Sequence, residues 1–107
     1  MDTWLGNTEH WLDNKPGSEW SLATLNIKDG EPTFIEDSRR NVRKSGFADK
    51  VHMLGAPSAV GLRFLRNLKE KFDLICIDGD HSFSSVASDL QRSKSLLAKD
   101  GTLAGDD

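Results

Sequence analysis

The distribution of apolar residues along the chain changes near residue 32. Before that point apolar residues follow no sustained period, and glycine, asparagine, aspartate and tryptophan are frequent. We therefore predict irregular structure for residues 1–31, with one short strand at residues 21–27. From residue 32 onward apolar positions recur with helical and strand periods, which predicts an α/β core over residues 32–107.

Three segments of this core have helical signals. We predict helices over residues 32–45, 57–70 and 82–97. The first begins with Pro32 and acidic residues and ends in basic residues before Gly46, an order that helix ends favour. In the second, Val60, Phe64 and Leu68 recur at helical spacing. The third places its apolar residues on roughly one face and is closed by a Lys-Asp-Gly turn.

Three apolar runs alternate with these helices, at residues 51–54, 72–77 and 102–104. Residues 72–77 are apolar apart from Asp73, a composition typical of a strand that is buried on both faces. Cys76, the only cysteine, is accordingly expected to be a buried, unreactive thiol. The order strand, helix, strand predicts parallel strands with right-handed crossovers. The expected fold class is therefore α/β, with a doubly wound, mostly parallel sheet.

Several residues follow directly after the predicted strands, at the sheet edge where open α/β folds bind ligands. They are Gly55 and Ala56, Asp78 to His81, and Gly105 to Asp107. If the last two strands are neighbours, Asp78, Asp106 and Asp107 come together, and oxygen ligands favour Mg²⁺, Mn²⁺ or Ca²⁺. His81 lies just beyond, and histidine is a frequent general base. The pattern is consistent with a metal ion and a base at one edge.

The same residues also have a simpler interpretation. An Asp-Gly-Asp-His run is typical of a strand-to-helix turn, in which Asp80 or Ser82 caps the following helix. Acidic residues such as Asp106 and Asp107 are often only solvated. Spacing alone favours this second interpretation.

Composition excludes several classes of protein. The chain has 107 residues, enough for one small domain, and its 36% hydrophobic content argues against intrinsic disorder. The net charge is −3 with basic and acidic residues interleaved, so we expect no nucleic-acid partner. The longest apolar run is far shorter than the ~20 residues of a membrane span, and no signal-peptide pattern opens the chain. We therefore expect a cytoplasmic protein without a membrane partner.

Beyond spacing, residues 72–107 resemble the fourth and fifth strands of class I S-adenosylmethionine-dependent methyltransferases. The matching text comprises residues 72–81, 89–90, 96–97, 100–101 and 105–107. The opening segment, from Asp2 to Gly6, resembles the end of the second strand in a subgroup that includes macrocin O-methyltransferase-like and cephalosporin-hydroxylase-like proteins. The resemblance implies a Rossmann-like sheet and metal-assisted O-methylation of a small-molecule acceptor.

The resemblance also implies residue roles. Asp2 would hold the ribose of S-adenosylmethionine, and Gly55 and Ala56 would lie against its adenine. Mg²⁺ would be bound by Asp78, Asp106 and Asp107. His81 would accept the proton of the acceptor hydroxyl. The family's glycine-rich loop, which follows the first strand, has no counterpart in this sequence. We therefore expect a single partial methyltransferase-like domain over residues 1–107, truncated at both ends.

Two alternatives remain open at this stage. A partial sheet has open strand edges, so the chain can be a non-catalytic module that associates with a second copy or with a partner. The same carboxylates can also hold a metal ion that activates water, which would make the chain a metal-dependent hydrolase.

Overall fold

The computed structural model describes residues 1–6, 8–12 and 22–106. The chain divides into two compact units. The first unit comprises Thr3–Met53, and the second, which we call the sheet unit, combines Met1–Asp2 with Leu54–Asp107. No helix among the described residues is long and apolar enough to cross a membrane.

The first unit contains two helices, one 3-10 turn and a small antiparallel ladder. Its elements are α1 (Thr8–Leu12), the 3-10 turn Leu22–Leu25, β1 (Ile27–Lys28), β2 (Glu31–Pro32) and α2 (Phe34–Ser45). β1 and β2 pair antiparallel, and Leu25 is fully buried. The strand predicted at residues 21–27 is wrong over its described part, because residues 22–25 form the 3-10 turn and only Ile27 belongs to a strand.

Helix α2 confirms most of the helix predicted over residues 32–45. It starts at Phe34, and Gly46 adopts the left-handed conformation, with φ of 78°, that ends many helices. Side chains spaced three residues apart form ion pairs along the exposed surface: Arg39 with Glu36, and Arg40 with Asp37. The end signals of the sequence therefore located this helix to within two residues.

The sheet unit contains two parallel strands connected through a helix. Its elements are α3 (Ser58–Asn67), β3 (Phe72–Ile77), α4 (Phe83–Ser93), the 3-10 turn Lys94–Leu96 and β4 (Leu97–Gly105). β3 pairs parallel with β4, as predicted from the strand, helix, strand order. The described fold is thus mixed α/β with a small parallel sheet, consistent with a partial Rossmann-like domain.

The strand predicted at residues 51–54 is wrong. These residues have no regular secondary structure, and the neighbouring Gly55 forms only an isolated parallel bridge, with Asp2. A strand needs a neighbouring strand to satisfy its backbone amide and carbonyl groups. Among the described residues, only the single Asp2–Gly55 bridge lies beside this segment. The apolar run alone therefore did not suffice to form a strand.

The prediction that residues 72–77 are buried on both faces is also wrong, although the strand itself is confirmed. Leu74 is 63% exposed, and Cys76, predicted to be a buried thiol, is exposed as well. The physical reason is that, among the described elements, only β4 and α4 contact β3 extensively, so much of the strand is left uncovered. The buried apolar side chains of the sheet unit lie instead on the helices and the 3-10 turn, at Leu62 and Leu96.

The final strand begins five residues earlier than predicted and contains an irregularity. Phe72 pairs with Leu97 and Leu74 with Thr102, so two steps along β3 correspond to five steps along β4. The additional residues include the Lys-Asp-Gly sequence that was predicted as a turn. At Gly101 a Cβ atom would lie 2.9 Å from the Phe72 carbonyl oxygen, so the close approach of the two backbones requires glycine.

Candidate functional site

The carboxyl ends of β3 and β4 meet at one edge of the sheet unit. Ile77 pairs with Gly105, and the Asp106 amide donates a 2.9 Å hydrogen bond to the Ile77 carbonyl oxygen. Asp78 and Asp106 therefore follow directly paired residues, and both are exposed. This confirms that the two strands are neighbours. Asp107, the third residue predicted there, lies outside the described residues.

The predicted Mg²⁺ gains no support from the described residues. Over residues 1–6, 8–12 and 22–106, no group of three or more His, Cys, Asp or Glu side chains is placed to hold a metal ion. The structure thus brings two carboxylate-bearing residues to the edge without completing a ligand set. The assignment of Asp78, Asp106 and Asp107 as ligands stays a prediction.

The turn after β3 is organised by Asp80. Its Oδ2 accepts hydrogen bonds from the hydroxyls of Ser85 at 2.7 Å and Ser82 at 3.0 Å, and its Oδ1 accepts one from the Ser82 amide at 3.1 Å. The Ser85 hydroxyl, followed by the Ser82 amide and hydroxyl, lowers the pKa of Asp80 below its ordinary value of 3.8. Asp80 is thereby engaged in holding the turn.

Ser82 is the N-cap residue of α4, and its hydroxyl oxygen accepts a hydrogen bond from the Ser85 amide. The capping interpretation of the Asp-Gly-Asp-His run is therefore confirmed for Ser82, whereas Asp80 accepts from the amide of the N-cap residue itself. His81 lies between these two residues and is exposed. Its role as a base stays a prediction. His81 lies in a turn that is held by the hydrogen bonds of Asp80 and Ser82 on either side of it.

The three residues predicted to bind the cofactor are brought together by backbone contacts. Asp2 and Gly55 form a parallel bridge, with the Asp2 amide 3.3 Å from the Leu54 carbonyl oxygen. The Ala56 amide donates to the Asp2 carbonyl oxygen at 3.1 Å. Two chain segments more than fifty residues apart thus end side by side. The contact is a single parallel bridge, and neither segment forms a strand.

A cavity of about 270 Å³ extends along β3 as far as Asp78 and Gly79, and its lining does not include Asp2, Gly55 or Ala56. Met1 and Ser58 line one part of it, Leu74 and Asp78 another, and Asp89 and Ser93 of α4 a third. The last two are polar residues in buried positions: Asp89 is 8% exposed and Ser93 is fully buried.

Asp89 and Ser93 were not identified from the sequence as site residues. A signal for them exists, because Val86, Asp89, Leu90 and Ser93 are spaced as the buried stripe of an amphipathic helix. Two of these four positions carry polar side chains where apolar ones are the rule. Polar residues on such a stripe indicate either internal hydrogen bonds or a ligand.

Comparison with known proteins agrees with the sequence resemblance at the level of the family. A family model described as a methyltransferase domain matches residues 3–107. No curated protein and no solved structure gives a significant match. Because the family model covers nearly the whole chain, including both ends of the described sheet, this chain belongs to the methyltransferase-domain family.

Proposed function

We propose that the chain binds S-adenosylmethionine at the edge formed by Asp2, Gly55 and Ala56, and that the reaction of this site is methylation of an oxygen atom in a small molecule. The observation that supports the proposal most directly is the Asp2–Gly55 bridge, which gathers the three predicted cofactor residues in a chain of the methyltransferase-domain family. Membership of the family suggests the cofactor, and the bridge suggests where it binds.

The chemistry of these residues fits the cofactor. An exposed aspartate such as Asp2 can accept hydrogen bonds from both ribose hydroxyls, as acidic residues do in nucleotide-binding α/β folds. Gly55 has no side chain, and that of Ala56 is a single methyl group, so a flat adenine ring can approach their backbone closely. In this proposal Asp2 determines affinity, and Gly55 and Ala56 provide space.

When bound, S-adenosylmethionine supplies a methyl group on a positively charged sulfur. The acceptor oxygen would form a bond to that methyl carbon as the carbon–sulfur bond breaks and S-adenosylhomocysteine leaves. The acceptor hydroxyl loses its proton, which in our proposal passes to the imidazole of His81. The capped turn around Asp80 and Ser82 holds His81 in place, so that less reorganisation is needed when the acceptor binds.

The proposed cation ligands are Asp78, Asp106 and Asp107. Oxygen ligands of this kind suit Mg²⁺, which commonly retains several water molecules and needs few protein carboxylates. Two of the three residues follow paired strand positions, which supports their proximity. In this proposal the cation would orient the acceptor hydroxyl and make its proton easier to remove, whereas Asp2, Gly55 and Ala56 hold the cofactor, so cofactor binding and metal binding can be tested separately.

The first test is calorimetric titration of S-adenosylhomocysteine into the chain and into Asp2→Asn, with circular dichroism as a check that both fold. Loss of a charge-assisted hydrogen-bond acceptor predicts binding weaker by at least about tenfold in the variant. Asp100→Asn, which changes an exposed aspartate of β4, is the matched control and should bind as the unmodified chain does. A folded chain that binds no S-adenosylhomocysteine would refute the proposal.

A second titration separates the metal from the cofactor. We expect Mg²⁺ to raise the unfolding midpoint of the unmodified chain and to have a smaller effect on Asp78→Asn, because one ligand is removed. Stabilisation by Mg²⁺ in a chain that does not respond to S-adenosylhomocysteine would favour a metal-dependent hydrolase instead. If Mg²⁺ has no effect on either protein, the cation assignment is wrong.

A further inference from the structure

A second cavity, of about 440 Å³, is lined by residues of helices α3 and α4 in the sheet unit. Three of its lining residues are arginines: Arg63 and Arg66 from α3, and Arg92 from α4. The other lining residues are apolar, namely Ala59, Val60 and Leu62. None of the residues proposed above for the cofactor, the cation or the base belongs to this lining. We call this cavity the arginine groove.

The two helices carry no exposed carboxylate that could neutralise the arginine groove. α3 contains no acidic residue, and the single one of α4, Asp89, is 8% exposed and lines the other cavity. On α2, by contrast, Arg39 and Arg40 form ion pairs with Glu36 and Asp37. None of the three arginines of the groove forms an ion pair with a described residue. The groove is therefore a concentration of positive charge in a chain whose net charge is −3.

Helix dipoles account for only part of this charge. Arg66 lies in the last turn of α3 and Arg92 in the last turn of α4, where the dipole favours a cation. Arg63 lies in the middle of α3, where the dipole gives no such benefit. It is also one turn away from Arg66, so the two like charges repel each other. Three cations without carboxylate partners around one concave site indicate a ligand of opposite charge.

The guanidinium group of Arg92 is held in place by its own helix. It donates a hydrogen bond to the hydroxyl of Ser88, one turn earlier on α4. A guanidinium group has five N–H donors, so a single hydrogen bond leaves most of them available to a ligand. Because this side chain is already ordered, less conformational entropy is lost when a ligand binds to it.

We propose that the arginine groove binds a phosphate monoester of a small organic molecule. The phosphate lies among the guanidinium groups of Arg63, Arg66 and Arg92. The organic part lies against the apolar lining, in particular Val60, which is 60% exposed. Guanidinium groups bind phosphate through two parallel hydrogen bonds, and a phosphate monoester is mostly a dianion at neutral pH. This ligand site is separate from the proposed cofactor site and does not depend on it.

Two features favour a phosphate that is carried by a small molecule. Three guanidinium groups offer more donors than the two oxygens of a carboxylate can use, whereas a phosphate monoester has three terminal oxygens. The volume of about 440 Å³ lies within the range of small-molecule sites, about 300–1,000 Å³. The lining covers about two turns of α3 and a single residue of α4, which is a short surface for a peptide chain.

The test is calorimetric titration of phenyl phosphate, which joins a phosphate to a flat apolar ring, into the chain. We expect saturable binding, at least about tenfold tighter than that of benzoate, which carries a carboxylate on the same ring. Inorganic phosphate lacks the ring and should bind at least about threefold more weakly than phenyl phosphate, because the apolar lining then stays uncovered. No binding of phenyl phosphate, or equal binding of benzoate, would overturn the proposal.

Two arginine substitutions provide the matched control in the protein. Arg63→Gln removes charge-assisted hydrogen bonds and should weaken the binding of phenyl phosphate at least about tenfold. Arg43→Gln, on α2 and outside the lining, removes the same charge and should change the affinity by less than about twofold at physiological salt. Both arginines are exposed, so neither change should prevent folding, which circular dichroism checks. Equal weakening by both changes would show a diffuse attraction to positive charge and would count against the groove.

A conservative substitution separates hydrogen-bond geometry from charge. Arg63→Lys keeps the positive charge but loses the planar pair of donors that matches two phosphate oxygens. We expect phenyl phosphate to bind this variant at least about threefold more weakly than the unmodified chain. Unchanged affinity in Arg63→Lys would contradict a phosphate held by guanidinium groups.

Two further titrations test the source of the phosphate and the separateness of the groove. A blocked pentapeptide with phosphotyrosine at its centre carries the same group on a peptide chain and should bind no more tightly than phenyl phosphate. Binding of the peptide at least tenfold tighter would assign the groove to a phosphorylated protein and overturn the assignment to a small molecule. Saturating S-adenosylhomocysteine should leave the affinity for phenyl phosphate unchanged, and competition between the two ligands would refute a separate site.

Discussion

At the scale of single residues, Asp80 shows how local chemistry can be predicted from the sequence. An aspartate and a serine between a strand and a helix are typical capping residues, and the structure places three hydrogen bonds on the Asp80 carboxylate. Such contacts span at most five residues. The information needed to predict them is therefore contained in a short stretch of sequence.

The lowered pKa of Asp80 predicts a specific dependence of stability on pH. Because the folded-state pKa lies below 3.8, the ionised carboxylate stabilises the fold above pH 3.8, and this contribution is lost as the pH falls through the lower, folded-state value. In Asp80→Asn this part of the acid sensitivity should be absent. The measurement is the unfolding midpoint between pH 2 and 6, with Asp73→Asn, an exposed aspartate of β3, as the control; identical profiles for all three proteins would contradict the assignment.

Cys76 shows the limit of single-residue prediction. Its apolar neighbours in the sequence indicated a buried thiol, but the structure exposes it because few described elements cover β3. Burial depends on which element covers a residue, and that element can come from anywhere in the chain or from another molecule. The same reasoning applies to Asp89 and Ser93, whose significance appeared only when their cavity was known.

At the scale of elements, periodicity located helix α3 but not its buried face. Val60, Phe64 and Leu68 recur at helical spacing, yet they are 60%, 49% and 54% exposed. The buried residues of α3 are Gly61 and Leu62. An apolar stripe indicates a helix because of its spacing, whereas the face that packs depends on the neighbouring elements, here in particular α4.

Shortening a side chain on the buried face of α3 should therefore lower stability more than shortening one on its exposed face. We expect Leu62→Ala to lower the free energy of unfolding by about 2–5 kcal/mol, as for other buried leucines, since it removes a side chain from the small core of the sheet unit. Val60→Ala, on the exposed face, should change stability by less than about 0.5 kcal/mol. Urea unfolding of both variants measures the difference, and a larger effect of Val60→Ala would show that the exposed face is covered in solution.

The irregularity in β4 gives a second prediction for an element. A Cβ atom at position 101 would meet the Phe72 carbonyl oxygen at 2.9 Å, so Gly101→Ala should destabilise the chain by about 1–3 kcal/mol. At Gly105 the nearest backbone oxygen would lie 3.5 Å from the added Cβ, an ordinary contact, and Gly105→Ala is thus the matched control in the same strand. Equal unfolding midpoints for the two variants would contradict the described register.

At the scale of the whole molecule, the mixed α/β class and the family were accessible from the sequence, while the degree of burial was not. The strand, helix, strand order indicated parallel pairing, and the resemblance of residues 72–107 indicated the methyltransferase family that the family model matches. Among the described residues, however, only Leu25, Leu62 and Leu96 are buried apolar side chains. Sequence patterns report which residues can be buried, and burial itself requires the neighbouring strands to be present.

A small core predicts that ligands will contribute a large share of the stability. If S-adenosylhomocysteine binds only the folded chain, a concentration one hundred times the dissociation constant should raise the free energy of unfolding by about 2.7 kcal/mol. For a marginally stable domain that is a large fraction of the total. Thermal unfolding with increasing S-adenosylhomocysteine measures the effect, which should be at least halved in Asp2→Asn; equal stabilisation of both proteins would place the ligand elsewhere.

The exposed thiol of Cys76 also has a consequence for how the protein is handled. A single accessible cysteine on a flat strand edge can form a disulfide with the same residue of another molecule when the solution is oxidised by air. Such covalent dimers would hold two open edges together and imitate a specific association. Preparations kept in reductant, or a Cys76→Ser variant, will therefore report the true mass of the chain, while aged samples will overstate it.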